Sequence, residues 1–405
     1  MADGRKVFAI MEKQKGLKIC IWGSGLNHTG GIARIVSVLA NGLDDKADIV
    51  IFSDDYEEQF SCIVGGKHFY RTPRELDIVQ NIGFVSKTFR KINERTGKLN
   101  SDSALCLLEK AYIPQPFLDS IVGFFKKNSF DVIIGVDGEY SLYLAAVSSF
   151  LTAKTIGWQH SCFEAYFVYP GKYYSNRSLL YKKYLKELTD YVVLNEVDKE
   201  KVDNAFKIES TVIYNSKPFT SDKSCDVEEK TFLSVGRFCE VKAYDVLIDS
   251  FRAFHDRFPE WKLIMVGDGE TKKQIEDMVV LYDIGSSVEF AGLQSNVEEY
   301  YLQASAFLLS SHWEGMPMVI LEALEMGCPI ISFDISAIEP LVTDGVEGIV
   351  VPKKEGVIGF SNAMMNMAGS VEKRRYYSEM AKAKAKMFTE EMFLNKWRKL
   401  LWEAR

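Results

Sequence analysis

The sequence predicts two α/β domains in tandem, each built on a parallel sheet with helices on both faces. Short apolar runs alternate with segments of helical spacing, which is typical of doubly wound domains. The chain has 405 residues, more than one hydrophobic core usually supports. A polar stretch near the middle interrupts the alternation, and a second series of strands and helices follows it.

The composition is that of an ordinary globular protein, with 47% hydrophobic and 26% charged residues. The net charge of −7 does not favour binding to nucleic acid. The seven cysteines form no CxxC pair, so we expect a reducing compartment and neither a structural zinc nor a disulfide. We find no apolar run of about 18 residues and no signal peptide, and expect a cytoplasmic protein. Met11 is an alternative start, with residues 1–10 as an added leader.

The first domain is placed at residues 1–215. LKICIWGS is a short apolar run of the kind found in buried parallel strands, and it leads into the glycine-rich loop GLNHTGG. The next segment, IARIVSVLANGL, has apolar residues at helical spacing. Further strands are predicted at ADIVIFS, DVIIGVD, KTIGWQH and DYVVLN.

Residues 215–230, within TVIYNSKPFTSDKSCDVEEK, have the composition of an interdomain linker. The second domain is placed at residues 216–387. Its strands are predicted at TFLSVGRF, KLIMVGDG, VEFAGL, AFLLSS and PIISFD, with helices at YDVLIDSFRAF, KKQIEDMVVLY and from Pro317. Residues 388–405 have amphipathic spacing and form a helix that could pack back on the first domain. The carboxyl ends of both sets of strands should line a central cleft.

The stretch SHWEGMPMVILEAL, residues 311–324, carries the strongest functional signal. Pro317 suits the first position of a helix, which leaves the amides of Met318 and Val319 as donors for an anion. Glu314 precedes this helix start and Glu322 lies one turn inside it. We interpret the pattern as two carboxylates that bind two parts of one phosphate-containing ligand. A catalytic carboxylate pair and two solvated charges are the alternatives.

Two cations follow the first strand of the second domain. In VGRFCEVK, Arg237 comes just after the strand and Lys242 five residues later. Together they could neutralise a diphosphate and the charge that develops on a leaving group. Cations are also common on surface loops, so this signal is weak when taken alone.

Two features of the first domain are open to more than one interpretation. Gly30 and Gly31 would let a phosphate approach a helix start, but the loop matches neither G-x-G-x-x-G nor a Walker loop, and a simple turn fits equally well. His160 follows a strand, where it could contact substrate or transfer a proton. A structural histidine is an equal alternative.

Two segments could contact an anionic lipid headgroup or a carbohydrate. Residues 166–188 are dense in Tyr and Lys/Arg, and residues 86–98, SKTFRKINERTGK, are basic. Packing on the protein's own core, or plain solvation, explains them as well. Asp54 and Asp55 lie in an acidic run without a supporting histidine, so we interpret them as a loop and predict no metal site.

In combination these motifs resemble glycosyltransferase family 4, retaining transferases of the GT-B fold. SHWEGMPMVILEAL resembles the family's E-x(7)-E motif, and VGRFCEVKAYDVLIDSF its G-R-x-x-x-x-K-G segment. GGIAR, VVLNEVDKEKV, VIYNS, MVGDGE and FAGL resemble further family segments in the same order. Ala243 is a departure, since the family usually has Gly after the lysine.

The resemblance implies roles for individual residues. Glu314 would bind hydroxyls of the donor sugar, and Glu322 the ribose of the nucleotide. Arg237 and Lys242 would hold the diphosphate. The phosphate site would be lined by Gly30, Gly31, Met318 and Val319. Leu293 and Gln294 would lie near the base. His160 would lie near the reacting sugar or the acceptor.

The resemblance also implies two Rossmann-like domains with a C-terminal helix and transfer of a sugar from a nucleotide to a glycan or lipid-linked acceptor. We expect a UDP-hexose or UDP-N-acetylhexosamine donor, no cofactor or metal, and possible peripheral contact with the cytoplasmic membrane face. Alternatives are a GDP-sugar transferase, a UDP-N-acetylglucosamine 2-epimerase, a phosphorylase-like enzyme and a non-catalytic sugar-nucleotide-binding subunit. Residues 56–130 carry no assignable motif, and acceptor specificity is expected there. Oligomeric state is left open.

Overall fold

A computed structural model of the protein describes residues 16–26, 30–54, 69–78 and 82–402. Two parallel sheets with surrounding helices form two successive domains, as the alternation in the sequence predicts. The carboxyl ends of parallel strands lie at one edge of a sheet, so the loops that follow the strands gather there.

Within the described residues, the first sheet has seven parallel strands in the order β3-β2-β1-β4-β5-β6-β7. All five residues of β4 are buried, as expected for a strand covered by helices on both faces. The strands are β1 Leu17–Gly23, β2 Ala47–Ser53, β3 Phe69–Arg71, β4 Val132–Val136, β5 Lys154–Trp158, β6 Asp190–Val193 and β7 Thr211–Val212. The helices are α1 Gly31–Asn41, α2 Phe84–Thr96, α3 Leu105–Tyr112, α4 Gln115–Asn128, α5 Asp137–Val147, α6 Ser178–Tyr184 and α7 Glu196–Phe206.

The second sheet has six parallel strands in the order β10-β9-β8-β11-β12-β13. Its strands are β8 Thr231–Val235, β9 Lys262–Val266, β10 Val288–Gly292, β11 Ala306–Leu309, β12 Ile330–Phe333 and β13 Gly348–Val351. Its helices, with the C-terminal one, are α8 Tyr244–His255, α9 Lys272–Leu281, α10 Glu298–Leu302, α11 Met318–Glu325, α12 Gly356–Ala368, α13 Val371–Ala385 and α14 Glu390–Trp402.

The strand order reverses direction once in each sheet. The reversal falls between β1 and β4 in the first sheet and between β8 and β11 in the second. In open parallel sheets this switch point forms the crevice where ligands bind. The loops after these four strands therefore define the expected site.

The linker and the C-terminal helix tie the two domains together. No helix or strand lies between β7 and β8, and the ammonium of Lys217 in this segment is 2.5 Å from a carboxylate oxygen of Glu325 on α11. On α14, Trp397 packs against Trp158 of β5 with ring centroids 4.7 Å apart. The helix thus lies against the first domain although it follows the second in the chain.

Three strands were not predicted individually: β3, β7 and β13. They have two to four residues each, and all lie at or near a sheet edge. A short edge strand carries little apolar periodicity, which explains why pattern reasoning missed them. Among the described residues, no helix is long and apolar enough to cross a membrane.

Candidate active site

The loops at the switch point of the second sheet bring a cation and a carboxylate together. Lys242 follows β8 and Glu314 follows β11, and the Lys242 ammonium donates to Glu314 Oε1 at 2.7 Å. The Ser311 hydroxyl donates to the same oxygen, also at 2.7 Å. Burial acts to lower the pKa of Lys242, but the Glu314 carboxylate, together with Tyr244 and Cys239, outweighs it, and the pKa is raised above its usual value. Lys242 is therefore a charged, preoriented donor.

The residues around this pair explain its fixed geometry. The Ser310 hydroxyl donates to the carbonyl oxygen of Lys242 at 2.7 Å and ties the two loops together. Ala243 has φ +46°, in the left-handed region that favours glycine. Glycine would adopt this conformation without strain, whereas Ala243 adopts it at some cost in backbone energy. Arg237 lies on the same loop with an exposed side chain, outside the Lys242–Glu314 pair.

Helix α11 begins directly after the Glu314 loop, with Pro317 as its N-cap. The amides of Met318 and Val319 are in the first turn, where backbone donors have no partner within the helix. The positive end of the helix dipole adds to them and favours an anion. The structure therefore places a helix start with free backbone donors, suited to an anion, between Glu314 and Glu322.

Glu322 lies one turn into α11, and only 4% of its side chain is exposed. Arg34 of α1 donates from Nη1 to Glu322 Oε1 at 2.7 Å, and the Tyr301 hydroxyl donates to Oε2 at 3.1 Å. Burial raises the pKa of Glu322, whereas Arg34 and Tyr301 act in the opposite direction. The carboxylate is oriented from both sides, and one of these partners belongs to the first domain.

The two domains approach each other closely at two glycines. A Cβ on Gly315 would lie 2.1 Å from the carbonyl oxygen of His160 in the first domain. A Cβ on Gly31 would lie 3.3 Å from the side chain of Met318, so the starts of α1 and α11 face each other. Gly30 precedes α1 with φ 172°, an extended conformation. Residues 27–29 of this loop lie outside the described residues.

His160 lies at this domain contact as a neutral side chain. Its ring is 4.5 Å from that of Trp158, and burial lowers its pKa to about 3. Nε2 is buried with no hydrogen-bond partner among the described residues. A neutral imidazole donates one hydrogen bond and accepts one, and at a pKa of about 3 it does not hold the second proton that acid catalysis near pH 7 would need. A hydrogen-bonding role fits this environment better than proton transfer.

Leu293 and Gln294 lie apart from the charged pairs. They follow β10, the edge strand two positions from β8, and both side chains are exposed. Gln294 donates to the carbonyl oxygen of Ala291 at 2.6 Å. The structure thus brings Lys242, Glu314, Glu322 and the start of α11 together and leaves Arg237, Leu293 and Gln294 at the rim.

Asp137 is a candidate that sequence reasoning did not single out. It follows β4, at the switch point of the first sheet, and has φ +72°. Burial raises its pKa to about 6, although a hydrogen bond from the Tyr174 hydroxyl, at 3.2 Å, acts to lower it. Backbone strain and a perturbed pKa together are typical of functional positions. The position after a buried strand, in DVIIGVD, was the available signal.

Residues 169–173 form a second contact across the cleft. Tyr169 packs on Trp313 with ring centroids 5.2 Å apart, and Lys172 pairs with Glu240 at 2.9 Å. Burial raises the pKa of Tyr173, which lies in the same segment. This contact comes from the Tyr- and Lys-rich segment and places it beside the loop that carries Glu314.

Among the described residues, no group of three or more His, Cys, Asp or Glu side chains could hold a metal ion. The Tyr140 hydroxyl donates to Asp54 at 2.5 Å, whereas Asp55 lies outside the described residues.

Comparisons of the sequence with known proteins match it to glycosyltransferases. Residues 217–384, which include α11 and both carboxylates, match the family model of glycosyl transferases group 1. An uncharacterized glycosyltransferase of Haemophilus influenzae is 27% identical over 361 residues, which cover 88% of this chain and 89% of that protein. The amylovoran biosynthesis glycosyltransferase AmsD of Erwinia amylovora is 28% identical over 218 residues, 52% of this chain and 61% of that protein.

Solved structures of similar fold cover nearly the whole chain. A mutant form of TarM of S. aureus, in complex with fondaparinux, alpha-GlcNAc-glycerol and UDP, has a TM-score of 0.74 at 14% identity, covering 96% of this chain and 100% of TarM. HepE of Anabaena in complex with UDP-glucose has a TM-score of 0.69 at 15% identity, covering 95% and 99% of the two chains. These likenesses confirm the predicted GT-B fold.

Proposed function

We propose that this protein is a retaining glycosyltransferase that moves a sugar from a nucleoside diphosphate donor to a hydroxyl of a glycan or lipid-linked sugar. The observation that carries the proposal is the start of α11 at the sheet's switch point, with Glu314 before it and Glu322 one turn inside it. The two carboxylates have different basic partners, Lys242 and Arg34. This arrangement suits two binding contacts on one ligand better than an acid/base pair.

The donor would lie across the start of α11. Its diphosphate would accept hydrogen bonds from the amides of Met318 and Val319, with Gly30 and Gly31 facing them from the first domain. Glu322 would accept hydrogen bonds from the ribose hydroxyls and Glu314 from the sugar hydroxyls. Leu293 and Gln294, at the rim, would lie beside the base.

Catalysis would consist of positioning the reactants and stabilising the departing diphosphate. Lys242, Arg237 and the helix start supply positive potential where negative charge develops as the glycosidic bond breaks. The acceptor hydroxyl would attack from the same face of the sugar and pass its proton to the departing diphosphate oxygen, so that the anomeric configuration is retained without a protein nucleophile. His160, being neutral, would donate or accept one hydrogen bond at the reacting sugar.

UDP is the proposed nucleotide, and surface polysaccharide or lipopolysaccharide is the proposed product. TarM and HepE, which share the fold, are seen with UDP or UDP-glucose, and AmsD is a polysaccharide biosynthesis enzyme by name. A GDP-sugar donor remains the alternative for the same site. The 2-epimerase alternative needs acid/base groups in the cleft, and the neutral, buried His160 does not favour it.

A donor panel tests the proposal. The protein is incubated with UDP-glucose, UDP-galactose, UDP-N-acetylglucosamine and GDP-mannose, with lipid-linked glycans as acceptors, in the presence and absence of EDTA. We expect release of UDP from one donor, unaffected by EDTA, and a product whose anomeric configuration by NMR equals that of the donor. Inversion of the configuration would contradict the mechanism, and no turnover with any donor would contradict the function.

A further inference from the structure

Helix α2, Phe84–Thr96, exposes most of its large apolar side chains to solvent instead of turning them toward the core. Phe84, Val85 and Ile92 are 85%, 61% and 45% exposed, whereas the buried positions of the helix are Ser86 and Asn93. An ordinary surface helix turns its apolar stripe toward the core. Here only Phe89 packs against the core, as a partly buried side chain.

The inner face of α2 is fixed by polar contacts instead. Asn93 is fully buried, and its side chain donates to the Tyr112 hydroxyl at 3.2 Å and to the carbonyl oxygen of Asn176 at 2.7 Å. The Asn93 side chain also accepts a hydrogen bond from the amide of Leu99 at 3.0 Å. These contacts set the rotation of the helix, so the outward position of the apolar side chains is a fixed property of the fold.

A stripe of cations runs beside the exposed apolar side chains. Lys87, Lys91 and Arg95 follow one another at every fourth position and are all exposed. Residues four apart lie on one helix face, next to the face that carries Phe84 and Ile92. Among the described residues, no ion pair neutralises these three cations. The outer face of α2 thus combines an apolar strip with positive charge.

We propose that α2 docks this protein on an anionic lipid bilayer. Phe84, Val85 and Ile92 would enter the boundary between headgroups and acyl chains, and Lys87, Lys91 and Arg95 would meet anionic headgroups. The overall net charge of −7 opposes such binding, so the attraction must come from this local surface. Charge complementarity favours a bilayer over a second copy of the chain, whose own α2 would present the same positive charges.

The docking helix borders the active-site cleft. Glu94 of α2 lines a cavity of about 90 Å³ together with Tyr112, Tyr173 and Arg177. Lys172, which lines the same cavity, has its ammonium 5.8 Å from the ring centroid of Trp313, the residue before Glu314. A bilayer bound to α2 would thus hold a lipid-linked acceptor near the donor site. This link to the acceptor rests on the proposed function, whereas lipid binding itself does not.

Vesicle flotation without donor or acceptor tests the docking surface. The full chain is mixed with vesicles of phosphatidylcholine alone, or of equimolar phosphatidylcholine and phosphatidylglycerol. We expect binding to the anionic vesicles only. The variant Lys87→Ala/Lys91→Ala/Arg95→Ala should bind about 100-fold more weakly, since each basic residue near an anionic surface contributes roughly fivefold. Phe84→Ser/Val85→Ser/Ile92→Ser should also lose binding.

The chain offers a matched apolar control on α9. Val280 and Leu281 are both 77% exposed, but the cation Lys273 on that helix is paired with Asp277 at 2.8 Å. The variant Val280→Ser/Leu281→Ser should float like the wild type. UDP binding measured in solution should be equal for the α2 variants and the wild type, which separates lost docking from lost folding.

Three outcomes would overturn the proposal. Equal flotation with neutral and anionic vesicles would show that the cations do not contribute to binding. No flotation with either kind of vesicle would show that α2 is not a lipid-binding surface. A wild-type dimer in sedimentation that becomes monomeric in Phe84→Ser/Val85→Ser/Ile92→Ser would show that a second copy covers α2. Because flotation needs no turnover, docking can succeed even if the transferase assay fails.

Discussion

Arg34 on α1 and Glu322 on α11 belong to different domains, yet Arg34 Nη1 lies 2.7 Å from Glu322 Oε1. Each residue is close to the start of its helix, and the two helix starts face each other at Gly31 and Met318. The carboxylate proposed to bind ribose is thus oriented by a cation from across the cleft.

Replacing Arg34 tests this cross-domain contact. In Arg34→Ala, Oε1 of the buried Glu322 loses its charged donor while Tyr301 still serves Oε2, and one buried acceptor atom left unsatisfied costs about 1–3 kcal/mol. We expect the Kd for UDP to rise by about tenfold, and Arg34→Lys, which keeps the charge, to lose less. Calorimetry with UDP measures both, with the surface variant Arg257→Ala as control. Unchanged affinity in Arg34→Ala would show that Glu322 does not depend on this partner.

The pH dependence of Arg34→Ala gives a second readout. Burial already raises the pKa of Glu322, and Arg34 opposes that rise. Without Arg34 the carboxylate will protonate at a higher pH than in the wild type. We therefore expect UDP affinity of Arg34→Ala to fall further than that of the wild type as the pH is lowered from about 7 to about 5. Parallel pH profiles for the two proteins would contradict this assignment.

The Lys242–Glu314 pair should be needed for turnover. Lys242→Ala and Glu314→Ala each remove one preoriented charged contact, and we expect turnover to fall by about 100-fold in each. Steady-state release of the nucleoside diphosphate measures the effect. Glu289→Gln, an exposed carboxylate on β10, serves as a control that should keep its rate. Near-normal rates in both active-site variants would show that the site has been misplaced.

Gly315 should be required for the domains to meet. A methyl group there would lie 2.1 Å from the His160 carbonyl oxygen, so Gly315→Ala must push the domains apart. A misplacement of about 1 Å can reduce turnover by about 100-fold, and we expect a loss of that order with both domains folded. Gly123→Ala is the control, because its Cβ would have no atom within 4 Å. Full activity of Gly315→Ala would mean that catalysis does not need this contact.

The ionised side chain of Asp137 should lower the free energy of unfolding near neutral pH. Its folded-state pKa of about 6 lies above the usual 3.8, so the folded protein binds the proton more tightly. Stability is therefore lost as the pH rises from about 4 to about 6, and Asp137→Asn should recover up to about 3 kcal/mol at pH 7 but nothing at pH 4. Thermal unfolding from about pH 4 to about pH 7 measures the stability difference between Asp137→Asn and the wild type, with Asp102→Asn at an exposed position as the control. A gain that does not depend on pH would show that charge is not the cause.

Much of the fold could be predicted from sequence because buried parallel strands appear as continuous apolar runs. The runs around β1, β4, β8 and β11 predicted the strands that carry the site. The helix start at Pro317 was predictable from local turn chemistry. Short edge strands such as β3 and β7 carry too few residues for a period to show.

The contacts between the domains could not be predicted in this way. The pairing of Arg34 with Glu322 joins residues 288 positions apart and depends on how the domains meet. The same holds for Gly315 against His160. Asp137 gave only the signal of a polar residue after a strand, while its strain and raised pKa depend on the folded environment. Local patterns thus identify each half of the site, and tertiary packing decides which residues face each other.

A thermal-shift comparison of UDP, GDP and ADP with the wild type and Glu322→Gln tests the central claim most directly. A ligand at 100 times its Kd should stabilise the fold by about 2.7 kcal/mol. We predict a clear shift with UDP that persists in EDTA and shrinks in Glu322→Gln. A shift of equal size in Glu322→Gln, or no shift with any of the three nucleotides, would contradict a nucleoside diphosphate site at the start of α11.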